Sequence, residues 1–586
     1  MKISNLFLLI LIFFFSYSVN GNIINAEIAS KYDDIFTKKL LSVEDVENYR
    51  KIFTYQENCK WKIANKYIFK IENKILLGHV LAQRYLHPKC YRSQYLELYY
   101  WLKEYSDLPQ AKRIYRLAIK RMPEGYKSPK QPSKVKGIIE KVLETKVNQK
   151  YKSKKKLSKN QKKAKRQLMN AVKSRVNNGW PTGAAKLLKQ RDVNVLLDQV
   201  EIDQLKELVA KGYFLANIED NPKINELAIK FAEEALESSA NYVPYAGWTA
   251  GLAAWKLNRF DDAAKFFSNF SISLNDDVWH QSSGSFWAAR CYAKLNKYEE
   301  INFWLNRAAK NKNSFYGLLA SQILGIENPI NWEVENLTKS EKDKFITFPA
   351  GKRIQALIQI GLFFELENEI IKINSVMNKE IAMWSLDIAQ HFNLAHTQLK
   401  IASKLQRYGV NLPIKYFYPT PIWKPKNGFS LDPSLIYAFM HQESMFNSTA
   451  KSYRGAIGLM QIMPSTAKFI SSNKEVKRNN SNILKIPEIN IEVGQEYIEY
   501  LLNLEQVQRN LIYLTAAYNG GPGNLSKWQK NANHLDDPLL FMESIPSRET
   551  RWFIEKVLTK YWIYENKLGH KSNSLRMLAK GSNPIY

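Results

Sequence analysis

Residues 248–267, WTAGLAAWKLNRFDDAAKFF, and residues 286–305, FWAARCYAKLNKYEEINFWL, are two copies of one pattern set 38 residues apart. In each copy an aromatic residue (Trp248, Phe286) is followed by small ones (Ala250 and Gly251, Ala288 and Ala289). A Lys-Leu-Asn triplet then interrupts the run, and a second amphipathic stretch follows. A lone amphipathic helix cannot bury its apolar face, but two helices joined by a short turn can, and a stacked neighbour closes what they leave open. Small residues permit close approach, and aromatic ones fill the gaps. Trp248, Trp255, Phe260 and Phe266 are therefore read as packing between helices rather than as a row for stacking sugars.

The period and pattern predict a tetratricopeptide-like helical superhelix. From about residue 40 to 410 the apolar residues keep helical spacing, as at Ile114, Leu117, Ala118 and Met122, without the alternation of strands. A cluster of Gly409, Pro413, Pro419, Pro421, Pro425 and Gly428 then ends the periodicity. The expected divisions are a leader over 1–26, a superhelix over 27–345, a helical linker over 346–421 and a C-terminal domain over 422–586.

The leader rests on Lys2 followed by ten apolar residues, Leu6 to Phe15, then small and polar ones to Gly21. Ten is well short of the roughly 20 that cross a bilayer, so export with a cut after Gly21 or Ala26 is expected, and no stable membrane insertion thereafter. With 85 Lys and Arg against 55 Asp and Glu, the net charge of +30 favours anionic partners. Eleven of these cations fall between Lys146 and Arg166, where no acid occurs. That run is read as a solvated loop or the charged face of a long helix; an electrostatic arm for phosphate or a wall polymer is the sharper alternative. Tyr151 is its only aromatic residue, which argues against nucleic acid.

Cys59, Cys90 and Cys291 are too few for a disulfide scaffold; Cys59 with Cys90 is the nearer pair, and three buried thiols are the equal alternative. His391 and His396 lack a zinc-binding frame, and no glycine-rich loop ends in Gly-Lys-Ser/Thr, so neither metal nor cofactor is expected.

Asp432 before Pro433 opens a predicted helix on which Leu435, Ile436, Phe439 and Met440 form the apolar stripe. Glu443 falls on the same inward face, where desolvation would hold its proton near neutrality, as a general acid requires; a buried structural glutamate is the alternative. No acid follows until Glu475, and the stretch between is rich in glycine and amides. Glu488, Glu492, Glu496, Glu499 and Glu543 remain able to approach in space.

Four ordered motifs, QESMFN at 442–447, GAIGLMQIMPSTA at 455–467, AAYNGGPGN at 516–524 and ESIPSRETRWF at 543–553, resemble those of the soluble lytic transglycosylases. YLELYYWLKEYSDLPQAKRIYRLA at 95–118 and NSFYGLLASQILG at 313–325 resemble stretches of that family's superhelix. The resemblance implies an all-α fold with a goose-lysozyme-like catalytic domain, and Glu443 as the single acid and base. It implies cleavage of the β-1,4 bond between N-acetylmuramic acid and N-acetylglucosamine in peptidoglycan strands, closing a 1,6-anhydro ring. It also implies that Tyr518 hydrogen-bonds Glu443, that Gln461 and Met463 line the groove, that Ser452 and Asn519 hold sugar, and that Glu543 sits in the cleft as a supporting or substrate-peptide contact. Gly520 and the Trp552-Phe553 pair depart from the family pattern, which bears on groove shape. A periplasmic monomer is expected, with cell-wall enzymes as further partners of the superhelix. The rival readings are a lysozyme that uses water and a non-catalytic wall-binding scaffold.

Overall fold

The computed structural model describes residues 36, 39–135, 151–216, 221–274, 277–327, 330–333, 345–374, 378–471, 473–478, 481–532 and 536–586. The expected leader and the first residues of the basic run, 146–150, lie outside the described residues. The chain is all-α: among the described residues the only extended pairings are isolated bridges, such as Lys451 with Ile457 and Asn510 with Ile585. No helix among them is long and apolar enough to cross a membrane.

The repeat has a physical basis in how its helices stop. Pro244–Lys256 and Val278–Lys294 are each followed by an asparagine in the left-handed region, Asn258 at φ 57° and Asn296 at φ 55°. The next amide reaches back five residues, Arg259 to the Ala254 carbonyl at 2.9 Å and Lys297 to that of Tyr292 at 3.0 Å. Asparagine tolerates this conformation, so the Lys-Leu-Asn triplet is a helix stop that reverses the chain into Phe260–Ser273 and Tyr298–Ala309. A third copy, Asn393 at φ 51°, turns Lys379–His391 into Ala395–Arg407.

Small residues then set how closely the helices pack. A Cβ on Gly251 would stand 2.7 Å from the Phe267 ring, and one on Gly284 would meet Phe270 at 2.8 Å. Trp287 and Phe267 are fully buried with ring centroids 5.5 Å apart, and Trp255 meets Trp287 edge-on at 5.3 Å. Removing such a ring costs about 3–5 kcal/mol. Trp248, half-buried, joins this cluster on one side and borders a cavity on the other.

The linker helices do not form a body apart. Pro349–Ile360, Phe363–Ile373 and Lys379–His391 share a core with the first helices of the chain, from Tyr49 and Ile52 to Val80. The Gln359 amide oxygen accepts from the Leu41 amide at 2.9 Å. Arg353 pairs with Glu369 at 2.6 Å and Asp107 at 3.3 Å, and buried His79 meets Glu369 at 2.9 Å. Sequence periodicity carries no sign of this closure, because its partners lie about 300 residues apart. Cys59 and Cys90 form a disulfide, and Cys291 is a buried thiol.

The C-terminal helices pack against the superhelix in one continuous core running from Val172 to Leu578. Phe315 stacks on Trp562 at 5.2 Å, Trp279 donates to Glu555 at 2.6 Å, and Arg290 pairs with Asp537 at 2.9 Å.

Candidate active site

The helix Pro433–Ser444 begins as its sequence requires, with Pro433 in the first turn and the Asp432 carboxylate accepting from the Ser434 amide at 2.8 Å. Leu435, Ile436, Phe439 and Met440 are fully buried, and Glu443 follows at the end of that face, half-buried. Directly after it the backbone enters the left-handed region at two non-glycine residues, Met445 at φ 50° and Phe446 at φ 59°, and again at Gln461, φ 47°. Each such residue costs about 1–3 kcal/mol, and strain of this kind gathers where a site must hold a fixed shape.

The glycine- and amide-rich loop is fastened from inside. Buried Asn490 accepts from the Met460 amide at 2.7 Å and donates to the carbonyls of Ile457 at 3.0 Å and Leu484 at 2.8 Å. Gly458, at φ 83°, lies against it: a Cβ there would stand 2.3 Å from the Asn490 amide nitrogen. Gln461 donates to the carbonyls of Gly458 at 2.8 Å and Ala450 at 3.3 Å, and the Ser452 hydroxyl accepts from the Ala456 amide at 2.9 Å. Met463, 37% exposed, caps the short helix Pro464–Ile470.

Burial pushes the Glu443 carboxyl up to about 8, and repulsion from the Glu549 carboxylate adds to the rise. Among the described residues, no hydrogen bond to the Glu443 carboxyl offsets this. It is therefore an acid that keeps its proton at neutral pH, flanked by a carboxylate that makes losing it harder. Tyr518, on Leu511–Gly520, donates to the Met460 carbonyl at 2.7 Å rather than to Glu443. Its ring lies 4.5 Å from that of Phe439 and stacks on Phe553 at 6.1 Å. Asn519 accepts from Thr550 at 2.8 Å. A Cβ on Gly520 would stand 2.5 Å from the Trp528 ring, which accounts for glycine there.

A transglycosylase SLT domain matches residues 421–541. The soluble lytic murein transglycosylase of Escherichia coli K12 is 27% identical over 385 residues, 64% of this chain and 56% of that protein. The Salmonella typhimurium protein of the same name is 28% identical over 308 residues, 49% of this chain and 46% of that one. Residues 421–541 thus carry a transglycosylase SLT domain, and the chain is similar to soluble lytic murein transglycosylases. Its match spans about half the length of these curated relatives. The crystal structure of the 70 kDa soluble lytic transglycosylase of E. coli covers 93% of this chain and 99% of that one, with a TM-score of 0.53 at 16% identity, and so shares the fold.

Within this transglycosylase fold the two acids of ESIPSRETRWF part company. Glu543, expected in the cleft, is buried and accepts from the superhelix Tyr316 hydroxyl at 2.6 Å. It borders a cavity of about 360 Å³ between superhelix and catalytic helices, with Glu207, Lys211, Trp279, Arg548 and Trp552. The acid whose charge reaches Glu443 is Glu549, in the first turn of the helix Arg548–Lys567. Sequence reading passed over Glu549 because both acids sit in the same motif, and the Ser547 cap between them breaks the periodicity that would assign a face. Asn490 carried no signal at all.

Proposed function

We propose that this chain is a peptidoglycan lytic transglycosylase, with Glu443 as its one acid and base. The observation that carries the reading is a carboxyl held protonated near neutrality at the edge of a groove built from the family's motifs. In the first half of the reaction Glu443 gives its proton to the glycosidic oxygen between N-acetylmuramic acid and N-acetylglucosamine, and the bond to C1 breaks. In the second, the Glu443 carboxylate takes the proton of the muramyl C6 hydroxyl as that oxygen bonds to C1. The 1,6-anhydro ring closes and Glu443 is again protonated. General acid and base work of this kind is worth roughly 100- to 10,000-fold in rate.

The surrounding residues support these steps. Burial, with the charge of Glu549 added, keeps the acid protonated before cleavage, and the negative charge of Glu549 favours the cation-like sugar that forms as the bond breaks. Tyr518, whose hydroxyl donates to the Met460 carbonyl, is assigned to steadying the loop beside Glu443. Ser452, Gln461, Met463 and Asn519 are assigned to sugar contacts, and Glu543 with its cavity to the peptide of the substrate. The work is placed in the periplasm, by a monomer needing no cofactor.

Glu443→Gln tests the reading. Wall turnover should fall at least 100-fold with the helical circular dichroism unchanged, and activity within tenfold of the parent would overturn it. The products of the parent should be lighter by one water than hydrolysed muropeptides; products of hydrated mass would assign a hydrolase instead.

A further inference from the structure

The described part of the basic run, from Tyr151, has a definite shape. Its first part, from Tyr151, is extended and pinned: the Tyr151 hydroxyl donates to Asp198 at 3.0 Å, and Lys155 donates to the carbonyls of Asn194 and, at 2.9 Å, Leu197. Its second part opens the helix Lys159–Asn177, with Ser158 and Gln161 forming a reciprocal cap. Fastening a segment this strongly basic is costly in self-repulsion, so its position calls for a reason.

At about 100° per residue, Lys159, Lys162, Lys163, Arg166 and Lys173 fall within about a 100° arc of that helix, and Leu168, Val172 and Val176 face the other way into the core. All five cations are exposed, and among the described residues none of them is in an ion pair; the helix's paired cation is Lys165, on Glu201 at 2.5 Å. Lys152, Lys154 and Lys156 extend the row ahead of the helix. The stripe from Lys159 to Lys173 is about 21 Å long, with a charge at nearly every turn. Along the axis Lys159, Lys162, Lys163 and Arg166 follow one another at about 4.5 Å or less, within the roughly 8 Å Debye length of physiological salt, so their fields overlap, and Lys173 stands about 10.5 Å further on.

The stripe also leads somewhere. Lys173, at its far end, borders the cavity between superhelix and catalytic helices together with Lys211 and Arg548. Lys211 and Arg548 likewise have no ion-pair partner among the described residues. Arg548 immediately precedes Glu549, whose charge acts on Glu443. Lys173, Lys211 and Arg548 thus stand around one cavity, which Glu207, Glu543 and Glu555 also line, and Arg548 connects it along the chain to the acid beside Glu443.

We propose that the cationic face of Lys159–Asn177, with Lys152 to Lys156 before it, is a guide track that draws a carboxylate-bearing glycan strand along the superhelix toward Glu443. The proposal rests on the reading of the chain as a peptidoglycan-cleaving enzyme. The partner is chosen by chemistry: a linear polymer whose peptide side chains repeat carboxylates along its length presents anions in series to cations in series. The track takes no part in bond breaking, and its action is capture.

The test is the full chain carrying Lys154→Gln, Lys156→Gln, Lys159→Gln, Lys162→Gln, Lys163→Gln and Arg166→Gln, beside a version with the five lysines changed to arginine. Field-steered capture is worth roughly 10- to 1,000-fold in association. At low salt the glutamine set should therefore lose at least about tenfold in kcat/KM on insoluble walls, with kcat unchanged, and the arginine set should lose nothing. At about 1 M salt, where the Debye length is about 3 Å, parent and variants should converge. Turnover of a short soluble muroglycan should stay within twofold throughout. An undiminished kcat/KM on walls at low salt, a loss that persists in high salt, or a loss shared by the short substrate would overturn the track. Binding is read separately by sedimenting walls with the same sets placed in Glu443→Gln, so that failure of the catalytic reading leaves this arm standing. Tighter sedimentation with anionic lipid vesicles, or tighter retention on duplex DNA, than on walls would overturn the choice of partner.

Discussion

If burial and Glu549 raise the Glu443 carboxyl from 4.5 to about 8, the folded chain holds a proton that the unfolded chain releases. Between those values the folded state binds more protons, so this residue's contribution to stability falls as pH rises. Below the unfolded value both states are protonated and nothing is lost; above the folded value the whole burial penalty of the anion is present. A shift of this size corresponds to about 5 kcal/mol, which the partial exposure of Glu443 to groove water reduces to about 2–4 kcal/mol. Glu443→Gln keeps the shape of the neutral acid and abolishes the titration. The variant should match the parent near pH 4.5 and be more stable by about 2–4 kcal/mol at pH 8.5, with the gap opening steadily between. Urea unfolding at a series of pH values, followed by tryptophan fluorescence and circular dichroism together, measures the difference. A gap that does not change with pH, or a variant weaker than the parent at pH 8.5, would refute the assignment of a raised value to Glu443.

Two further outcomes follow from the same geometry. Glu549→Gln removes the repulsion that helps hold the Glu443 proton, so the alkaline limb of the kcat/KM profile should move to lower pH, whereas Glu543→Gln should leave that limb in place; equal shifts from both would contradict the different placements of the two acids. Gly458→Ala puts a methyl group 2.3 Å from the Asn490 amide nitrogen at a left-handed backbone position, and should cost more than about 1 kcal/mol and loosen the loop that carries Gln461; an unchanged melting temperature would show that the loop yields.

Much of this was legible in the sequence because the features concerned are local. The left-handed asparagine caps at Asn258 and Asn296 leave a Lys-Leu-Asn trace, which shows the 38-residue offset, whereas the third cap, at Asn393, follows His-Phe and leaves none. Helical spacing carries Glu443 onto the face of Phe439 and Met440, and the resemblance of the motif QESMFN singled it out from a buried structural glutamate. What periodicity does not carry is all of one kind, in that it depends on neighbours distant along the chain. Glu543 was expected in the cleft, and its partner Tyr316 is 227 residues away. The helices of 346–421 were expected to be a linker, and they share a core with residues near the beginning of the chain. Tyr518 was expected on Glu443, and its proton goes to a carbonyl in a loop whose course is set by the buried Asn490. No periodicity encodes such pairings.

The core shared by superhelix and catalytic helices has a genetic consequence. Phe315 and Tyr316 stand more than a hundred residues before Glu443, yet they hold Trp562 and Glu543, on the helices that frame the groove. Missense alleles at Trp279, Phe315 or Tyr316 should therefore be recovered in the same screens as alleles of the catalytic acid. Second-site suppressors of them should map to residues 541–565 rather than to the neighbouring repeats.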